Sequence, residues 1–108
     1  MARRYVEATD TAVYTVDIAL AELACKLARI GRGPEVAGCL DVVGESSKVV
    51  PITPEVARDA GDLILELRRN DSGASVADAV MLAAARKHHA KLVSADTCYE
   101  GQPDVVRE

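Results

Sequence analysis

Between Val76 and Ala85 the chain carries nine apolar residues and one polar residue, Asp78. A helix that is apolar around its whole circumference has to be buried. The segment reads as a helix from about Ser75 to His88, and the chain must therefore supply packing layers on every side of it. A lone carboxylate in such a helix loses hydration, so its presence calls for a physical reason.

The rest of the chain offers those layers. Short strands are read at Ala12–Val16, at the β-branched run Lys48–Ile52, at Lys91–Ser94 and at Val105–Val106. Helices are expected between them. Asp17 suits the N-cap of a helix reaching about Ile30, and Gly31-Arg32-Gly33-Pro34 closes it. Val36, Leu40 and Val43 form the apolar stripe of a second helix ending near Gly44. Thr53 and Pro54 open a third, on which Val56, Ala60, Leu63 and Leu67 recur at helical spacing until Asn70-Asp71-Ser72-Gly73 stops it. Strands alternating with helices predict an α/β domain with a parallel sheet and right-handed crossovers. Ligands in such sheets sit beyond the strands' C-terminal ends, which directs attention to the loops after Val16, Ile52 and Ser94.

Composition excludes several classes. The 108 residues suit one domain, and 49% hydrophobic with 28% charged residues is ordinary for a folded protein. No apolar run is long enough for a membrane span and the first residues lack a signal peptide's apolar centre, so a cytoplasmic protein with no membrane partner is expected. Cys25, Cys39 and Cys98 have no paired spacing, which argues against a zinc site or disulfide framework. A net charge of −4 provides no global field for nucleic acid. With only Tyr5, Tyr14 and Tyr99 as aromatics, a base-stacking platform is hard to build, so any nucleic-acid contact has to rely on backbone and metal.

Three carboxylates merit weighing. Ser75-Val76-Ala77-Asp78 matches a capping box, and a carboxylate in a first helical turn can also face a metal in the crevice at the sheet edge. Asp96 follows Ser94 by two residues, where a turn aspartate is common but ligands also bind. Glu22 shares a row with Lys26 and Arg29, and its i, i+4 spacing to Lys26 is explained by an exposed ion pair worth about 0.3–0.5 kcal/mol. Glu55, Asp59, Asp62 and Glu66 lie on the polar side of an amphipathic helix and are assigned no role; His88-His89 closes a helix and is read as structural.

Taken together, Ser75-Val76-Ala77-Asp78-Ala79, the Ala-rich helix after it, and Leu92-Val93-Ser94-Ala95-Asp96 resemble the C-terminal half of PIN domains, particularly VapC-like toxin ribonucleases. Gly101-Gln102-Pro103-Asp104-Val105-Val106 resembles the family's closing loop and strand, and Thr15-Val16-Asp17-Ile18-Ala19-Leu20-Ala21-Glu22-Leu23 its strand-to-helix segment with a conserved glutamate. The resemblance implies a three-layer α/β/α fold and a metal-dependent endoribonuclease. In that reading Asp78 and Asp96 bind Mg²⁺ or Mn²⁺ directly or through water, and Glu22 completes the acidic cluster. Ser94 and Ser75 orient these groups, while Lys26, Arg29 and Arg86 are candidates for phosphate contact with an RNA substrate. A cognate antitoxin and a homo-oligomer are the implied partners.

The front of the chain departs from that pattern. The family opens with a strand ending in an aspartate, followed by one or two helices, and Met1 is expected to fall inside that helical region. Residues 1–108 are thus expected to form one PIN-like domain, incomplete at its N-terminus. Asp10-Thr11 lies too close to Glu22 to stand for the opening aspartate. Without its central strand, neighbouring edges would be unpaired unless oligomerisation or a rearranged sheet covers them. The rival to an enzyme is a noncatalytic PIN scaffold that assembles with itself or an antitoxin. A third option is an unrelated α/β protein in which Asp78 is only a cap.

Overall fold

A computed structural model of the chain describes residues 13–94 and 97–106 and, as backbone, residues 5–7. Strand β1 (Tyr5–Glu7) is followed by β2 (Val13–Val16), α1 (Asp17–Arg29), α2 (Val36–Ser46), β3 (Lys48–Val50), α3 (Pro54–Asn70), α4 (Val76–Lys87), β4 (Lys91–Val93) and β5 (Val105–Val106). Single 3-10 turns span Gly33–Glu35 and Thr97–Tyr99.

The chain is α/β. Its sheet has the order β3-β2-β1-β4-β5, with β2 parallel to β3 and β4 parallel to β5. The crossover from β2 to β3 moves one way across the sheet and the crossover from β3 to β4 moves the other. With right-handed connections this puts α1–α2 and α3–α4 on opposite faces.

The strand Tyr5–Glu7 corrects the expectation of a helical beginning. β1 occupies the centre of the sheet and is antiparallel to both neighbours, with Val6 opposite Tyr14 on one side and Leu92 on the other. A rearranged sheet therefore covers the edges of β2 and β4. Because β1 runs against its neighbours, Glu7 pairs with Val13 and Lys91, the first residues of β2 and β4. The chain leaves β1 at the sheet edge opposite the one where α/β ligands bind. Asp10 lies outside the described residues.

The core forms around α4. Every residue from Ala77 to Ala85 is buried, including Asp78. From α3 come the four expected positions Val56, Ala60, Leu63 and Leu67, all buried; from the sheet come Val16, Val50 and Leu92. Thr53 caps α3 as its sequence predicts, its Oγ1 accepting from Val56 N at 3.2 Å with Pro54 in the first turn. The second face is covered more thinly. Leu27 is the buried residue of α1, α2 has none, and Val36, Leu40 and Val43 are half-buried while Val42 is 62% exposed.

His88, just past the end of α4, stacks on Tyr14 with ring centroids 5.1 Å apart. Burial, then the charges of Lys87, Lys48 and His89, hold its imidazole below the ordinary value. The folded chain thus binds a proton at His88 less readily than the unfolded chain does. Its contribution to stability is present above the unfolded pKa of about 6.5 and is lost as pH falls through the lower folded value. Thermal denaturation between about pH 7.5 and 5.5 should show a midpoint that drops on acidification, with a smaller drop in His88→Gln.

Candidate functional site

Register across the sheet fixes the geometry of the C-terminal edge. Tyr14, Val6 and Leu92 are mutually opposite, so Val16 at the end of β2 is level with Ser94 just beyond β4. Two strand spacings, about 10 Å, separate them. Asp17, directly after Val16, and Ser94 therefore stand at the same edge of the sheet, with β1 paired between their two strands.

Asp78 is 5% exposed and sits in the first turn of α4. The capping box is complete: Asp78 N donates to Ser75 Oγ at 3.2 Å, and Ser75 N donates to Asp78 Oδ2 at 2.8 Å. These bonds fix the carboxylate at the N-terminal end of the helix. Ser94 is fully buried, with its N–H on Val106 O at 3.0 Å. Asp96 lies outside the described residues, but the chain is anchored on both sides of it.

The downstream anchor is extensive. Thr97 Oγ1 donates to Asp71 Oδ2 at 2.9 Å, and Asn70 Nδ2 donates to the carbonyls of Cys98 and Glu100 at 3.2 and 2.8 Å. Tyr99 is buried and donates its hydroxyl to the main-chain oxygen of Asp78 at 2.7 Å. Hydrogen bonds from Gly73 N and then from Thr97 hold the Asp71 carboxyl below the usual carboxylate value. Sequence marks Asn70, Asp71 and Gly73 as a helix stop and counts Cys98 and Tyr99 among the cysteines and aromatics, but gives none of the anchoring residues a part in the site.

Asp17 was expected as an N-cap. Instead Val16 takes that position without a side-chain bond and Asp17 is the first helical residue. Its Oδ2 accepts from Ile52 N at 3.3 Å, whereas Oδ1 is buried with no hydrogen-bond partner. A buried, undonated carboxylate oxygen at this edge suits a hard divalent cation, whose ligands are carboxylate oxygens. Its signal in the sequence was an acidic residue directly after a strand, the same signal that drew attention to Asp96.

The other expected site residues are dispersed. Glu22 is on the exposed side of α1, five residues on from Asp17 and so about 8 Å along the axis. Among the described residues no three His, Cys, Asp or Glu side chains gather closely enough to hold an ion, so Glu22 and Asp78 are not joined there by a third ligand. Lys26 is half-buried and Arg29 exposed, at the far end of α1. Arg86 has a different task from the phosphate contact expected of it. Its Nε and Nη2 hold Asp104 at 2.7 and 3.2 Å, and Nη2 also donates to Gln102 at 2.6 Å. Eight residues beyond Asp78, it stands about 12 Å along α4 from the first turn.

Asp78 in the first turn of α4 and strand β4 leading to Asp96 stand in the order that the sequence resemblance implies. The family model for the PIN domain matches residues 1–100. This chain belongs to the PIN domain family. A solved structure described as a toxin-antitoxin complex from Klebsiella pneumoniae aligns with a TM-score of 0.61 and 21% identity, over 84% of this chain and 69% of that one. At that identity the likeness bears on the fold. No curated protein matches the chain significantly. No helix among the described residues of this PIN domain is long and apolar enough to cross a membrane.

The capping box gives a stability test. Ser75→Ala removes an acceptor for Asp78 N, and urea denaturation should show a loss of about 1 kcal/mol. Asp78→Asn keeps an oxygen able to accept from Ser75 N and should cost less than Ser75→Ala. The opposite ranking would mean that the charge of Asp78, rather than its capping geometry, holds the helix start.

Proposed function

We propose that this PIN domain is a metal-dependent endoribonuclease of the VapC toxin type, hydrolysing RNA phosphodiester bonds. The observation that carries the reading is the placement of Asp78, a buried carboxylate fixed by the Ser75 box and tied through Tyr99 to the loop that follows Asp96. Asp78 and Asp96 would hold Mg²⁺ or Mn²⁺, with Glu22 completing the acidic set. Asp17 Oδ1, which lacks a hydrogen-bond partner, is a further carboxylate oxygen after β2, but Asp17, Glu22 and Asp78 do not gather around one point. The ion, when bound, supplies Lewis-acid polarisation of a phosphoryl oxygen and an activated water.

The chain's own residues have separate roles in this reading. Ser75 fixes the orientation of the Asp78 carboxylate, and Ser94, just beyond β4, is held by Val106 O upstream of Asp96. Of the three cations expected to contact phosphate, Arg86 is engaged by Asp104, and Lys26 and Arg29 lie in the last turn of α1. A net charge of −4 leaves RNA attraction to local groups.

A second reading is a noncatalytic scaffold that assembles with itself or with an antitoxin. It is favoured by the polarity of β1, which brings no strand-end carboxylate to the ligand edge, and by the thin cover over α2, where Val42 is exposed. The likeness to a structure described as a toxin-antitoxin complex is compatible with both readings.

Cleavage of single-stranded RNA with Mn²⁺, run beside Asp78→Asn and a chelator control, separates them. The enzyme reading expects cleavage by the wild type that falls at least about 100-fold in the variant and disappears with chelator. An inactive wild type would favour the scaffold.

A further inference from the structure

We infer that the sheet edge opposite Asp78 is a phosphate-binding surface on which a single strand of nucleic acid lies, an inference that extends the reading above and needs no metal. Helix α4 runs between the two edges. Asp78 is in its first turn and Lys87 is its last residue, about 14 Å further along the axis. His88 and His89 follow at once, and after Ala90 the chain enters β4 at Lys91. Lys48 opens β3 at the level of Tyr14, on which His88 stacks. Lys91 is level with Glu7, and Glu7 with Val13. One helix end and two strand starts thus bring Lys48, Lys87, His88, His89 and Lys91 to one edge. In the order β3-β2-β1-β4, Lys48 and Lys91 are three strand spacings apart, about 14 Å.

Little on this edge balances the positive charge. Lys48, His89 and Lys91 are exposed, and Lys87 and His88 are half-buried. Glu55 stands 3.7 Å from Lys87, whereas Lys48, His88, His89 and Lys91 make no ion pair among the described residues. After burial itself, the groups that hold the His88 imidazole below its ordinary value are Lys87, Lys48 and His89, all of one sign. The dipole of α4 favours cations at its C-terminus and accounts for Lys87 and the histidines. It does not account for the lysines that open two separate strands. In a chain of net charge −4, cations gathered in this way create a local attraction where the whole molecule has none. Their arrangement along an edge suits a linear polyanion, and half-buried Tyr14 and His88 add an aromatic surface within the row. Cations in line with an aromatic face hold single-stranded nucleic acid without sequence preference. An acidic peptide would use the cations alone.

The test is fluorescence anisotropy of a labelled single-stranded RNA titrated with the full chain in the presence of chelator, repeated over a range of salt concentrations. Wild type is compared with Lys48→Gln/Lys91→Gln, His89→Gln, Lys26→Gln/Arg29→Gln and Asp78→Asn. The wild type should bind, and the Lys48→Gln/Lys91→Gln pair should bind about tenfold more weakly, with the slope of log affinity against log salt reduced by about 1.4. His89→Gln should lose less, and Asp78→Asn should bind as tightly as the wild type. An unchanged slope in the pair overturns the inference, as does no binding by the wild type. A loss confined to Lys26→Gln/Arg29→Gln or to Asp78→Asn also overturns it, because the strand would then lie on α1 or at the other edge. If the pair does not fold, Lys48→Gln and Lys91→Gln are read singly, and a slope unchanged in both sinks the inference. Poly-glutamate that displaces the label as readily as unlabelled RNA overturns the assignment to nucleic acid. Chelator removes metal and cleavage from this assay, so the two readings fail separately. A wild type that is inactive with Mn²⁺ but binds RNA through this edge leaves the inference standing without the enzyme. Cleavage together with undiminished binding by the pair does the reverse.

Discussion

The burial of α4 on all sides is the constraint from which the rest of the structure follows. With apolar side chains around nearly its whole circumference, this helix can be kept from water only if the sheet, α3 and the loop between β4 and β5 all close on it. Leu63 and Leu67 provide one wall, Leu92 and Val16 another, and Cys98 with Tyr99 a third. The last wall has consequences for chemistry. A loop recruited to cover a helix is held in place by packing, so whatever its neighbouring residues do is done from a fixed position. Asp78 lies where that wall meets the helix start, which is why a residue in the core can also stand at the sheet's ligand edge.

Much of this was legible from residues alone, for identifiable reasons. The apolar periodicity of α3 named all four of its buried positions, because an amphipathic helix against a sheet has one admissible orientation. The Ser75–Asp78 box and the Thr53–Pro54 start were readable because capping is decided within four residues. What sequence missed was non-local. Tyr5–Glu7 is too short to carry a period, and its position depends on two partners elsewhere in the chain. Asp17 looked like a cap because local rules place aspartate there; its bond to Ile52 arises from the pairing of β2 with β3. Arg86 seemed available for phosphate because its partners, Gln102 and Asp104, are supplied by a distant loop.

The proposed ligands differ correspondingly in how firmly the fold supports them. Asp78 is defined by short-range bonds, and the flanks of Asp96 by tertiary ones. Glu22 depends on the orientation of α1, whose face of the domain buries little beyond Leu27. A site formed by these residues would be backed by a fully buried helix on the α4 side and by a thinly packed one on the α1 side. Substrate or partner would therefore meet one firm wall and one yielding one.

The position of β1 bears on how the domain is assembled in time. The two parallel pairs, β2–β3 and β4–β5, are joined in the described sheet only through Tyr5–Glu7. This strand precedes β2 and can pair with it as soon as both are made, but its other edge has to wait for Leu92 and Val93, which lie far downstream in sequence. Closing so long a loop is slow, and in the interval the nascent hairpin presents an open edge that any other strand could extend. Successful folding would thus depend on β4 arriving before a neighbouring molecule does, a race in which protein concentration and the speed of translation decide the yield.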